Sequence, residues 1–295
     1  MEELERAETR LDHIRTVEPI LGALRTISLG SWQAALSQRQ SLQQYRERLT
    51  AVWALVLPHL SARQRRARGS KQGAERVVVL AVGSERGLVG RFNAAVARRV
   101  DSYLAELETL GVQAELMALG TRLRRSLRLH KRLPDRFNAL PVTTLPPYRL
   151  ALELTHRWLV RYENGELDAV DVVHNVYRGT GRTETQVVRL IPPHLPKAEE
   201  SGGRSGTWPP PIIETDPLSL CVGAARQWIA VGLHENLLDS AAAEHSTRYQ
   251  LMESASRNAE HLILELTLVI QSARRRQITR EMQDLAAGAG LIRRR

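Results

Sequence analysis

The sequence predicts a mixed α+β/α/β chain: a long antiparallel coiled coil of N- and C-terminal helices with a central Rossmann-like α/β domain. Three observations carry this. Helical periodicity fills both ends of the 295 residues, β-branched runs are confined to the middle, and a proline- and glycine-rich stretch separates the middle from the second helical segment. Apolar residues make up 43% but aromatic residues only 4%. Helix seams built from Leu, Ile and Ala need few rings, so this composition suits helix-on-helix packing better than one large globular core.

The first segment runs from Glu2 to about Leu57. Leu4, Ala7, Leu11, Ile14, Val17, Leu21 and Leu24 recur at steps of three or four, a narrow helical seam. At 1.5 Å per residue such a helix extends roughly 80 Å. Pro19 removes a backbone donor and crowds the preceding turn, so a kink or break is expected near residues 15–19. Pro58 marks the far end.

In the middle, Val77–Val82 reads as a buried strand and Gly83-Ser84-Glu85-Arg86-Gly87 as the turn after it. A helix from about Phe92 to Leu110, a strand over Val112–Leu119 and a short basic helix over Arg122–Arg132 follow. After Pro141, Pro146 and Pro147, a further helix extends to about Arg161. Strands at Leu167–Arg178 and Glu184–Ile191 complete an α/β domain. Residues 193–211 hold five prolines and three glycines and read as a connection. In the last segment Leu251, Ala255, Leu262, Leu266, Val269 and Ala273 form a heptad-like seam. Gly223, Gly232, Gly288 and Gly290 weaken its ends. The expected division is 1–65, 75–192, 193–211 and 212–295.

The net charge of +10 favours an acidic partner, nucleic acid or an anionic surface without choosing among them. Basic residues group at Arg63–Lys71, at Arg122–Arg136 and at Arg274, Arg275, Arg276 and Arg280. Cys221 is the single cysteine, which excludes an intrachain disulfide and a cysteine-rich metal site. No run approaches a membrane span, and the start Met1-Glu2-Glu3 is unlike a signal or transit peptide. The nine histidines are scattered, and Ser84 and Glu85 have no evident base to complete a nucleophilic group. Gly83, Gly87 and Gly90 fit neither a Walker loop nor a dinucleotide fingerprint, so turning and close packing is their expected role.

Three ordered segments resemble the gamma subunits of F-type rotary ATP synthases. Gly83-Ser84-Glu85-Arg86-Gly87-Leu88-Val89-Gly90, followed by Asn93, resembles the family's Ser-Asp-Arg-Gly-Leu-Cys-Gly segment. Val170–Tyr177 is similar to a family strand that ends in Tyr-Asn, with His174 for Tyr and Asn175 kept. Glu244-His245 through Arg248 and Met252, then Arg274, Ile278, Thr279 and Glu281, resemble the family's C-terminal block. Gln271, Arg275 and Tyr249 depart from it. At the N-terminus, Pro19, Ile20 and Ile27 stand where the family has Asn, Thr and Met.

The resemblance implies a noncatalytic central shaft of the divergent gamma type, with no cofactor or metal on this chain. ATP, ADP and Mg would lie on partner alpha and beta subunits. An epsilon-type subunit and a membrane c-ring are the other implied partners, with no nucleic acid. The implied location is peripheral, at the cytoplasmic face of a bacterial membrane. Arg25, Arg274, Arg275 and Arg276 are the implied rotor contacts, since guanidinium groups suit carboxylates on surrounding subunits. Gly87, Gly90, Asn93, Asn175, Arg248, Ile278, Thr279 and Glu281 are the implied structural motif residues. The alternative is a nonrotary scaffold or regulatory paralogue, which the altered N-terminus keeps open.

Overall fold

The structure, a computed structural model, describes residues 2–56, 59, 75–193 and 212–288. The basic group at Arg63–Lys71, Pro58, Gly290 and all but the first residue of the 193–211 connection lie outside them. The element order is α1 (Glu2–Val56), β1 (Arg76–Val82), α2 (Phe92–Thr109), β2 (Gln113–Leu119), α3 (Thr121–Leu129), β3 (Arg136–Asn138), α4 (Tyr148–Glu163), β4 (Ala169–Tyr177), β5 (Thr183–Ile191) and α5 (Pro217–Gly288). A long N/C-terminal helix pair thus brackets a central mixed α/β region. By contacts the chain forms two compact units, one of Met1–Ser28 with Tyr249–Arg295, the other of Leu29–Arg248.

In the first unit α1 keeps a strict 3.5-residue rhythm of covered positions at 4, 7, 11, 14, 18, 21, 25 and 28. The matching α5 line is Met252, Ser256, Ala259, Ile263, Leu266, Ile270 and Ala273. Arg25 meets Glu253 at 2.8 Å, and Arg274 meets Glu8, so the two segments run antiparallel. The expected seam slips by one residue at several points. Val17 is 47% exposed and Glu18 takes the seam position; Leu251 and Val269 face outward while Met252 and Ile270 are buried. One residue is a rotation of about 100°. Following apolar residues alone therefore led off the line where charged Glu18 occupied it, and where two apolar residues adjoin, as at Leu251-Met252 and Val269-Ile270.

The break expected near residues 15–19 is absent: α1 is one uninterrupted helix with Pro19 inside it. Pro19 lies on the exposed side of α1. The carbonyl it leaves without a donor can therefore be hydrated, and burial of the opposite face holds the helix across the defect.

In the second unit the same rhythm continues at 32, 35, 39, 42, 46, 49, 53 and 56 of α1. Two of these positions are arginines paired with α5. Arg46 reaches Glu235 at 2.5 Å and stacks over Trp228 at 4.4 Å, and Arg39 lies 3.1 Å from Asp239. Trp53 and Val56 pack with Cys221 at the start of α5.

The sheet of this unit has the order β3-β2-β1-β4-β5. β1 pairs in parallel with both β2 and β4, β2 in parallel with β3, and β5 runs antiparallel to β4. Short β3 went unread in the sequence because its three residues, Arg136-Phe137-Asn138, show no alternation. Both faces of the sheet are covered, which is why β1 and β4 are buried along nearly their whole length. One face holds Leu80, Val172 and Met117 against Leu154 and Trp158 of α4 and Ile229, Leu233 and Leu237 of α5. The other holds Val79, Ala81 and Val173 against Val96, Val100 and Leu104 of α2 and Leu123 and Leu127 of α3.

Trp158 is 2% exposed. Trp158→Ala is expected to cost about 3–5 kcal/mol, read as a fall in the denaturant midpoint. Pro19→Ala is expected to raise the thermal midpoint, because the lost hydrogen bond is restored on a face with room for it.

Candidate functional site

Within the second unit, the loop after β1 is held from three directions. Ser84 is fully buried at its start. Its backbone N–H donates to Asn93 Oδ1 at 2.9 Å, and Asn93 Nδ2 donates to Ser84 Oγ at 2.8 Å, closing the loop onto the first turn of α2. Ser84 Oγ donates in turn to the Arg86 carbonyl at 2.8 Å. A Cβ on Gly83 would lie 2.3 Å from Leu123 Cβ, so only glycine allows α3 this close. Gly90 adopts φ 53°, a left-handed conformation that turns the chain into α2. Gly87 has no such crowding; its carbonyl is what matters.

Glu85 turns away from solvent chemistry and caps α3. Gly120, at the N-cap of that helix, has no side chain to do so. Glu85 Oε2 accepts from the backbone N–H groups of Thr121 and Leu140, each at 3.0 Å, and Oε1 accepts from the Thr121 hydroxyl. Partial burial opposes ionisation of Glu85, but these donors together hold its carboxyl below the ordinary range. A helix N-terminus at the carboxyl edge of parallel strands is where an anion commonly binds. Here the chain supplies its own carboxylate.

The second hold comes from α5. Arg248 is 5% exposed, and its Nε and Nη2 donate to the Gly87 carbonyl at 3.3 Å each. Nη2 also donates to Glu244 Oε1 at 2.6 Å, and Nη1 lies 3.1 Å from His245 Nδ1. Burial pushes the Glu244 carboxyl up despite Arg248. Burial, then the charges of Arg248 and Arg86, push His245 down to about 4. The spacing of Glu244, His245 and Arg248 puts all three on one side of the helix, where they clamp the loop rather than assemble a catalytic group.

The third hold is β4. Asn175 is fully buried; its Nδ2 donates to the Phe92 carbonyl at 3.1 Å, and its Oδ1 accepts from Thr185 Oγ1 at 2.6 Å. Its neighbour His174 is 1% exposed, and burial, with the Arg39 charge adding to it, drives the imidazole down to about 4. Asp171 on the same strand receives a two-bond contact from Arg189 at 2.8 and 2.9 Å and a 2.6 Å bond from the Tyr103 hydroxyl. Burial and Asp171 push Tyr103 up to about 12. The sequence reading missed Tyr103 and Arg189. The available signal was a lone Asp in a buried strand, which must find a cation.

In the first unit the proposed contact residues sit differently. Arg25 is joined to Glu253, which also accepts from Arg257 at 3.0 and 2.9 Å. Arg274 is joined to Glu8, while Arg275 and Arg276 are exposed. Ile278 is 58% exposed; Thr279 Oγ1 donates only to the Arg275 carbonyl of its own helix, and Glu281 only accepts from Gln277. These C-terminal motif residues thus contribute little to the fold of the described chain. Among the described residues no His, Cys, Asp or Glu grouping suits a metal, and no helix is long and apolar enough to cross a membrane.

Two terminal helices paired along a heptad line, with an inserted α/β unit clamped to the second of them, define a stalk protein rather than a catalyst. The sequence matches the ATP-synt family, described as ATP synthase, over residues 3–290. It is 28% identical over 290 residues to the ATP synthase gamma chain of Rubrobacter xylanophilus, spanning 98% of each chain. It is 29% identical over 300 residues to that of Anaeromyxobacter sp. strain Fw109-5, spanning 98% of this chain and 99% of the relative. Its fold is similar to a chain of the Tetrahymena thermophila mitochondrial ATP synthase central stalk and c-ring structure, with TM-score 0.55, 17% identity and coverage of 80% and 99%. A chain of the Euglena gracilis mitochondrial ATP synthase gives TM-score 0.61 at 13% identity, with coverage of 98% and 94%. The chain belongs to the ATP synthase family, as a homologue of its gamma chain. That chain is a noncatalytic component of the central rotary stalk of F-type ATP synthase.

The buried histidines set a pH dependence. His174 falls from its ordinary 6.5 in the unfolded chain to about 4 in the fold. Its stabilising contribution is complete above pH 6.5 and is lost as pH falls toward 4, because the unfolded chain takes the proton first. Asp239 acts with the opposite sign. Burial, partly offset by Arg39, raises it to about 6, so its contribution is present below its ordinary 3.8 and is lost as pH rises through 6. Urea titrations of His174→Gln are expected to lose about 3 kcal/mol less than the parent between pH 6.5 and 4. Those of Asp239→Asn are expected to shift the other way.

Proposed function

We propose that the chain turns as the shaft inside a ring of alpha and beta subunits, coupling transmembrane ion flow to their ATP synthesis or hydrolysis. The observation that carries this is the outer face of the first unit. Leu264, Leu268, Ile278, Met282 and Leu285 are 67, 67, 58, 66 and 72% exposed. With Gln271 and Arg275 between them they follow steps of four and three, a second apolar line besides the one buried against α1. On α1, Val17, Ile20 and Ile27 are also about half exposed. A helix pair that works in water keeps its outer faces polar; apolar lines on the outside suit an encircling sleeve of partner surface.

Arg275 and Arg276 stand exposed near this outer line, where they can meet carboxylates of the sleeve and leave them as the shaft turns. Arg25 and Arg274 would have to exchange Glu253 and Glu8 for such partners. Both pairs are partly exposed, so the exchange costs little. Nucleotide and Mg would bind the partner subunits. The α/β unit, whose strand order is that of a Rossmann-like doubly wound sheet, would serve as the foot. It would contact an epsilon-type subunit and the c-ring at the cytoplasmic face of a bacterial membrane. Within the described residues α1 and α5 would form the shaft and residues 75–192 the foot.

Isolation of the tagged native complex, with subunit masses and ATP-driven rotation read from one sample, tests the assignment. Rotation with alpha, beta and a membrane ring is expected. Isolation without them, and no rotation after they are added, would establish the scaffold alternative. In the rotating complex, Arg274→Ala/Arg275→Ala is expected to lower the ratio of ATP made to ions passed. Ile278→Asp/Met282→Asp is expected to lower torque more strongly, since it places charge against an apolar sleeve.

A further inference from the structure

The α/β unit has a second uncommitted surface, at the edge of the sheet opposite the Arg248-clamped loop. There α2 and α3 end and β2 begins. Leu110, just past α2, is 75% exposed; Leu129, the last residue of α3, is 81% exposed; Leu133 in the following loop is 69% exposed. Lys131 and Leu133 line a small cleft of about 290 Å³ with Glu108 and Val112, which places the ends of α2 and α3 side by side.

The charge around these leucines is one-sided. Arg125 and Arg128 are exposed on α3 three residues apart, followed by exposed Lys131. None of the three has an ion-pair partner among the described residues. The nearby carboxylates are largely engaged elsewhere. Asp101 and Glu108 are held by Arg132, Glu106 by Arg99, and Glu115 by Arg136 and Arg161. The inner face of α3 is fully committed, with Leu123 and Leu127 completely buried. What remains outside is a comb of cations with aliphatic chains at its tip.

We propose that this edge docks on a membrane surface of anionic lipid headgroups, with Arg125, Arg128 and Lys131 at the phosphates. Leu129 and Leu133 enter the headgroup layer, and Leu110 flanks them. Cations beside isolated protruding aliphatic chains suit an interfacial anchor, where charge attraction and shallow apolar burial add. A protein interface would be expected to offer exposed aromatic anchors. Phe137, which packs on α3, is covered by Arg124 at 4.8 Å. The contact is with lipid, so it stands apart from the partner contacts of the rotor.

The test is co-sedimentation of the full chain with phosphatidylcholine vesicles, with and without phosphatidylglycerol. Salt-sensitive binding to the anionic vesicles alone is expected. Arg125→Glu/Arg128→Glu is expected to weaken it at least about tenfold. Leu129→Ser/Leu133→Ser is expected to weaken it at unchanged charge, and Arg274→Ala/Arg275→Ala/Arg276→Ala to leave it as in the parent. All these positions are exposed, and circular dichroism verifies that each variant keeps the fold. Parental binding by the Arg125/Arg128 variant, or equal loss in the control triple, overturns the proposal. Loss of binding to polyglutamate with vesicle binding intact also overturns it, making the edge a protein-docking surface.

Discussion

Burial of one heptad line of α1 against α5 is the constraint on which the rest depends. Neither helix has enough local stability to persist alone at such a length, and the helix interior includes Pro19 and Gly30. What keeps α1 continuous is that every third or fourth residue finds a covered position on its partner. In the second unit the same segment of α5 also closes one face of the sheet through Ile229, Leu233 and Leu237. Loss of the helix pair would therefore uncover the sheet as well as the seam.

The seam is unusually polar. Glu18, Arg25, Ser28, Arg39 and Arg46 all occupy covered positions of α1. Partly exposed ion pairs add little to stability, so apolar residues there would give a tighter coil. Charged seam positions instead fix register, because only one alignment brings Arg25, Arg39 and Arg46 to Glu253, Asp239 and Glu235. A helix pair that transmits torque needs that register held. The outer apolar line of α5 is the complementary feature: Leu264, Leu268, Ile278, Met282 and Leu285 stay exposed beside the buried seam.

The loop after β1 is fixed by side chains of the chain itself. Its crevice lies at the carboxyl edge of β1 and β2, where open α/β sheets bind ligands. Glu85 takes the anion position at α3, and Arg248 takes the Gly87 carbonyl. A site that would otherwise be open is thereby converted into a joint between the sheet and α5. Across that joint run the two Arg248 bonds to the Gly87 carbonyl, and Glu244 on the same helix holds the buried guanidinium in place for them.

Much was legible in the sequence because local physics decides it. Period-3.5 patterning marked both terminal helices, and β-branched runs marked β1 and β4. The motif residues Asn93, Asn175 and Arg248 could be singled out, but their hydrogen-bond partners could not. Those partners lie up to 161 residues away, and pairing at that separation is set by packing rather than by spacing. The same limit explains the slip of the seam at Val17, where charged Glu18 stands on the true line, and at Val269, where neighbouring Ile270 is equally apolar. It also explains the missed β3, and Tyr103 and Arg189 around Asp171. The sequence by itself determined which segments are helix, strand and turn, because propensity and periodicity act within a few residues. Only the tertiary structure decided which face of each helix is inside and which buried charges meet, because desolvation acts on whatever the fold brings together.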